Sequence, residues 1–208
     1  MRAAIFLPAL ALTAGIATAQ TVPDTVVAQD FTLDPAHSTV VLRVSHMGFS
    51  RFTMTFDRID GRLRLDPAAP EEAELIVTIS AASLDIPNPP EGFREELMGP
   101  NWLDAETAPE ITFVSDGVTR TGEATADIAG TLTIAGVSAP ATIAATLNGA
   151  YDGKPYEPAA RLGFSGTTTI RRSTFGIDAG LPAEGSDFGV GDAVEVTIET
   201  EWMGTPQE

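Results

Sequence analysis

Apolar and polar residues alternate with a period of two along most of this chain. Val40, Leu42, Val44 and His46 share one face of a segment whose other face carries Val41, Arg43 and Ser45. Phe52, Met54 and Phe56 oppose Arg51, Thr53 and Thr55, and Ile59, Gly61, Leu63 and Leu65 oppose Asp60, Arg62, Arg64 and Asp66. Leu75, Val77 and Ile79 then oppose Glu74, Ile76 and Thr78. Each pattern predicts a strand with one wet face and one buried face.

The second half continues in the same way. Ile111 and Phe113 begin one strand, Ile128, Leu132 and Ile134 belong to the next, and Ile143, Ala145 and Leu147 to a third. Leu162, Phe164, Thr168 and Ile170 form a fourth. In the last, Val194, Val196, Ile198 and Trp202 face in while Glu195, Glu199 and Glu201 face out. Between Glu91 and Pro109, "EGFREELMGPNWLDAETAP" breaks the alternation and predicts one or two short helices. Ser173 to Gly191 reads as a long glycine-rich connection before the final strand. These elements predict an all-β fold: one antiparallel domain of eight or nine strands with a helical insertion. A closed barrel removes the sheet edges; a sandwich is the alternative.

The chain start changes where this domain is expected to work. Arg2 precedes the apolar run "AAIFLPALALTAGIA", and Ala17-Thr18-Ala19 supplies a small-residue cleavage site before Gln20. Residues 1–19 therefore read as a signal peptide, with the domain occupying 20–208 in the periplasm. The absence of cysteine excludes thiol catalysis, iron–sulfur clusters and cysteine-bound zinc. The net charge of −17 argues against a nucleic-acid partner and against electrostatic docking on anionic lipid.

Candidate chemistry is sparse. The two histidines, His37 and His46, lie nine residues apart, so a regular strand would put them on opposite faces. No third ligand is evident beside them, and structural or pocket-polar roles are favoured over a metal site. "GFSGT" (163–167) lacks the last glycine of a nucleophile elbow and lies within a strand pattern. No phosphate loop or dinucleotide fingerprint occurs. What remains is the inside of the barrel, where Gly61, Ala126, Gly130, Ala141, Ala145 and Gly166 are small. They either leave room for a ligand or fit the taper of a packed interior.

The motifs "DPAHSTVVLRVSHMGFS" (34–50), "FDRIDGRLRLDP" (56–67), "ASLDI" (82–86), "NWLDAETAPEITFVS" (101–115), "GTLTIAGVSAPATI" (130–143), "IRRSTFGI" (170–177) and "VGDAVEV" (190–196) occur in this order. Together they resemble the YceI-like family of exported polyisoprenoid-binding proteins. The resemblance implies an extended, lipocalin-like β-barrel holding an isoprenoid lipid such as a ubiquinone-like quinone, with no other cofactor. It implies that Val40, Leu42, Val44, His46, Phe52 and Phe56 line the interior with Phe113, Leu132 and Ile134. Arg172, Ser173, Phe175 and Gly176 would form a signature turn. Met54, Leu75, Val77, Ile79, Ile111, Ile128, Ile134, Ile143, Ala145, Leu147 and Phe164 join the expected lipid-binding set, with Arg172 and Phe175. Two departures stand out: Glu96 occupies a place where the family often has histidine, and Met54 one where glycine is common. Binding and carriage or storage is the expected role, not catalysis. An enzyme or redox partner for a prenylated substrate and a packed interaction module are the alternatives. Transient contact with a membrane or membrane protein, and a homodimer, are the further partners left open.

Overall fold

The computed structural model describes residues 26–153, 155 and 157–206. The expected signal peptide and its cleavage site lie outside the described residues. Eleven strands follow in chain order: β1 (Gln29–Leu33), β2 (Thr39–His46), β3 (Ser50–Phe56), β4 (Ile59–Leu65), β5 (Glu74–Ser80) and the two-residue β6 (Leu84–Asp85). After helix α1 (Phe93–Met98) come β7 (Glu110–Arg120), β8 (Thr125–Ile134), β9 (Val137–Tyr151), β10 (Ala159–Arg171) and β11 (Val190–Pro206). Every pairing is antiparallel.

The order β1-β4-β5-β7-β8-β9-β10-β11 returns to β1, so eight strands close a barrel. Closure depends on the length of β11. Its first half pairs with β2, from Val190 opposite His46 to Glu199 opposite Thr39, and its second half pairs with β1 through Trp202 and Met203. β1 and β2 thus form one long strand with a corner in it. That corner is "DPAHS". Pro35 opens a single 3₁₀ turn, Pro35–His37, and the Asp34 carboxylate accepts from the Ala36 N–H at 3.0 Å. Ser38 Oγ donates to the Asp34 carbonyl, and the Asp34 N–H donates to Glu201 O at 2.8 Å, holding the corner against β11.

β1 was not predicted, because Gln29 to Leu33 follows a polar lead-in and is too short for alternation to stand out. The helical insertion contains one α-helix, α1, followed by turns from Gly99 to Ala108. A two-residue turn, Ala135-Gly136, joins β8 to β9 with both φ angles positive (48° and 75°), which suits the right-handed twist of the flanking strands.

A register shift in β7 between Ser115 and Gly117 reverses the side-chain parity. Ile111 and Phe113 face in before it; Val118 and Arg120 face in after it.

Gly61 and Gly130 make space for aromatic rings. A Cβ on Gly61 would stand 2.8 Å from the Trp202 ring, and one on Gly130 only 2.4 Å from the Val114 carbonyl oxygen and 2.6 Å from the Phe113 ring. A backbone oxygen within a ladder cannot move aside. Gly130→Ala is therefore expected to cost about 1–3 kcal/mol and lower the melting temperature by roughly 3–10 °C, as thermal unfolding would record.

Candidate functional site

Inside the barrel lies a cavity of about 670 Å³. Its wall carries Val40, Leu42, Val44, Met54 and Phe56 from β2 and β3, Leu75, Val77 and Ile79 from β5, and Ile111 and Phe113 from β7. The wall continues with Ile128, Leu132 and Ile134 from β8, Ile143, Ala145 and Leu147 from β9, Phe164 from β10, and Arg172. Of the small residues, Ala126, Ala141, Ala145 and Gly166 line it. Ala126 and Gly166 pair with Ala145 from either side, making a row of minimal side chains across three strands.

Three expected lining residues do not contribute. His46 has the right parity but sits beyond Val44 at the end of β2, next to the turn, and is exposed. Its ring lies 6.5 Å from that of Phe52. Phe52 instead packs edge-on against Phe93 of α1, with centroids 6.3 Å apart, and so secures the helix to the barrel. Phe175 is buried in the core without reaching the cavity. Parity places a residue on a face but does not say where the cavity ends along that face.

Sequence reasoning also missed part of the wall. Trp102, Leu97 and Leu103 come from the insertion, where no strand pattern points inward, and Val118 lies past the β7 irregularity.

The two ends differ. At the α1 end the lining residues Leu84, Leu97, Ile134, Arg172 and Ile177 are buried. At the opposite end the lining includes Arg120, Glu123 and Thr125, all exposed, beside Pro67 and Pro70. The cavity is closed below and opens at the β7–β8 turn.

Arg172 is committed to structure at the closed end. Its guanidinium donates to the carbonyls of Gly191 (2.8 Å), Ile177 (3.0 Å), Ala179 (2.8 Å) and Val190 (2.7 Å). The Trp102 ring covers it with 5.2 Å from centroid to guanidinium carbon. Desolvation lowers its pKa from the ordinary arginine value.

Among the described residues, one group has metal-ligand composition: Asp34, His37 and Glu201, with donor atoms within 4.8 Å of one another. Glu201 is the partner that sequence spacing could not supply. Arg161 Nη1 already bridges the two carboxylates, at 2.9 Å from Asp34 Oδ2 and 3.1 Å from Glu201 Oε2, so a guanidinium occupies the cationic role. None of these four side chains lines the cavity. His37 Nδ1 meets Asp34 Oδ2 at 2.9 Å.

Hydrogen bonds from His37 and then Arg161 lower the Asp34 pKa from 3.8 to about 2, while Asp34 raises His37 above 6.5. The Asp34 contribution to stability is present above pH 3.8 and fades as the pH falls toward 2. The His37 contribution is present below pH 6.5 and fades as the pH rises through the raised value. The stability difference between wild type and Asp34→Asn is therefore expected to be largest between about pH 4 and 6.5 and to shrink on either side. Denaturant unfolding across pH measures it, and a difference that does not vary with pH would contradict the assignment.

The YceI-like domain model matches residues 31–202. The chain belongs to the YceI-like family. A UPF0312 protein of Pseudomonas savastanoi pv. phaseolicola is 39% identical over 152 residues, covering 72% of this chain and 77% of that protein. Among solved structures, Burkholderia cenocepacia BcnA superposes with a TM-score of 0.68 at 27% identity, covering 81% of this chain and 98% of BcnA. A polyisoprenoid binding domain from Saccharophagus degradans superposes at 0.63 with 15% identity, covering 84% of this YceI-like chain and 98% of that domain, a likeness of fold alone.

Proposed function

We propose that this YceI-like barrel binds a long isoprenoid lipid, of the quinone or polyprenyl class, and carries or stores it in the periplasm without transforming it. The observation that carries the reading is the cavity: about 670 Å³ lined almost throughout by aliphatic and aromatic side chains. That volume falls within the ~300–1,000 Å³ of ligand pockets. A wall of this kind recognises length and hydrophobicity more than particular polar groups. Burying one five-carbon isoprene unit gains about 3–4 kcal/mol at ~0.8 kcal/mol per carbon group. A few units offset the ordering cost of a flexible chain.

The described polyisoprenoid binding of the Saccharophagus domain supports the capacity of the fold for such a ligand. The leader-like residues 1–19 support export. Among the described residues, the cluster combining a histidine with acids, Asp34, His37 and Glu201, lies off the cavity wall, which favours binding over turnover.

Organic extraction of folded protein from the periplasmic fraction, followed by mass spectrometry, tests the reading. A prenyl lipid approaching one per chain is the expected result. An extract without lipid, from protein that also takes up no added prenyl quinone, would leave the packed-module alternative in its place.

A further inference from the structure

We infer that the ligand enters tail first and leaves its polar head at the β7–β8 turn, in a subsite formed by Arg120 and Glu123 that suits an uncharged hydrogen-bonding headgroup. This rests on the lipid-binding reading above and adds a direction and a head chemistry to it.

The direction follows from where polar partners remain available. At the closed end, Arg172 already gives four N–H bonds to backbone carbonyls and is capped by Trp102. The neighbouring wall, Leu97, Leu103 and Ile177, offers no polar side chain. A headgroup pushed there would lose its water and find no equivalent partner, whereas a hydrocarbon terminus loses nothing. Midway, Thr200 is bonded to the Phe164 carbonyl and to the Trp202 indole, and Ser165 to Glu199 and Asn148. Thr168 thus offers a single hydroxyl there, against the several donors and acceptors of the open end.

At the open end the situation is reversed. The β7 register shift turns Arg120 onto the inner face with Val118, so Arg120 lines the cavity mouth. Its contact with the Glu123 carbonyl, at 3.4 Å, leaves most of its donors available. Glu123 adds an acceptor and the opposite charge, while the Thr125 hydroxyl, opposite the outward Thr146, already accepts from Thr121 at 3.0 Å. A cation and an anion side by side favour a neutral head that both accepts and donates. The net charge of −17 further disfavours an anionic one.

The two tryptophans report the direction, because Trp102 lies at the closed end over Arg172, whereas Trp202 lies farther from that end, bonded to the midway Thr200 and packed on Gly61. The probe is a benzoquinone carrying a two-isoprene tail, whose ring quenches nearby indole fluorescence. Titrating wild type and Trp102→Phe separates the two signals with a conservative change at a half-buried site. Strong quenching of Trp202, with little loss attributable to Trp102, is expected. Dominant quenching of Trp102 would overturn the direction while leaving lipid binding intact. No saturable binding of either the quinone or the headless apolar dye N-phenyl-1-naphthylamine would instead refute the lipid-binding reading itself.

Arg120→Leu tests the subsite. It is expected to weaken the quinone about 3–10-fold, the worth of one or two hydrogen bonds, while leaving the dye unaffected. Equal loss for both probes, or none for the quinone, would remove Arg120 from head recognition.

Discussion

Ala145→Trp should empty the barrel while leaving it folded. Ala145 lines the cavity on β9, directly opposite Ala126 of β8 and Gly166 of β10, so the new ring enters open space bordered by the smallest side chains of the wall. A ring there displaces about one isoprene unit, worth roughly 3–4 kcal/mol, and prenyl-lipid retention should fall well over tenfold. The melting temperature should move by no more than a few degrees. Were the interior packed, the same substitution would cost about 1–3 kcal/mol or more and show as a clear fall in melting temperature. Thr146→Trp is the control, because Thr146 is exposed on the outer face of the same strand. It carries the same ring outward and should retain the lipid. Loss of lipid in both variants would show that the effect is not occupancy of the cavity.

Arg172→Met should produce the largest loss of stability. The guanidinium draws together Ile177 and Ala179 from one end of the connection and Val190 and Gly191 from the other, closing the loop between β10 and β11. Methionine fills much of the same space but leaves four carbonyls without that donor. The expected cost is about 3–5 kcal/mol, and protease cleavage between residues 176 and 189 should accelerate. Arg172→Lys should recover only part of the loss, since one compact ammonium cannot span four acceptors held by a planar fork. Denaturant unfolding decides the matter. A midpoint for Arg172→Met equal to wild type would mean that the connection is held by other contacts.

Much of the wall was legible because strand alternation is a local rule. Val40, Leu42 and Val44, or Val194, Val196 and Ile198, declare their face through their neighbours two residues away, whatever they pair with. The same rule misplaced His46, since it extends a face without limit while the cavity stops at Val44. It said nothing of Val118 and Arg120, whose inward orientation depends on an irregularity visible only in the pairing of β7 with β8. The small residues were ambiguous for a related reason. Gly61 and Gly130 hold the rings of Trp202 and Phe113, and Gly166 makes way for Ile143 and Ile198, whereas Ala126, Ala141 and Ala145 border the cavity. A small side chain leaves room, and what fills that room comes from elsewhere in the chain.

The amino-acid sequence by itself determined the all-β class, the inward face of most strands, the helical interruption before β7 and the family motifs. All of these are carried by residues close together along the chain. Tertiary structure alone decided that β11 pairs with β2 and β1 in turn, closing the barrel. It also made Arg172 a pin for four carbonyls, brought Glu201 and Arg161 to Asp34 and His37, and left one end of the cavity open. These outcomes join residues far apart in sequence, such as Arg161 and Asp34 at a separation of 127. Their register is set by the packing of the whole sheet, which no local period encodes.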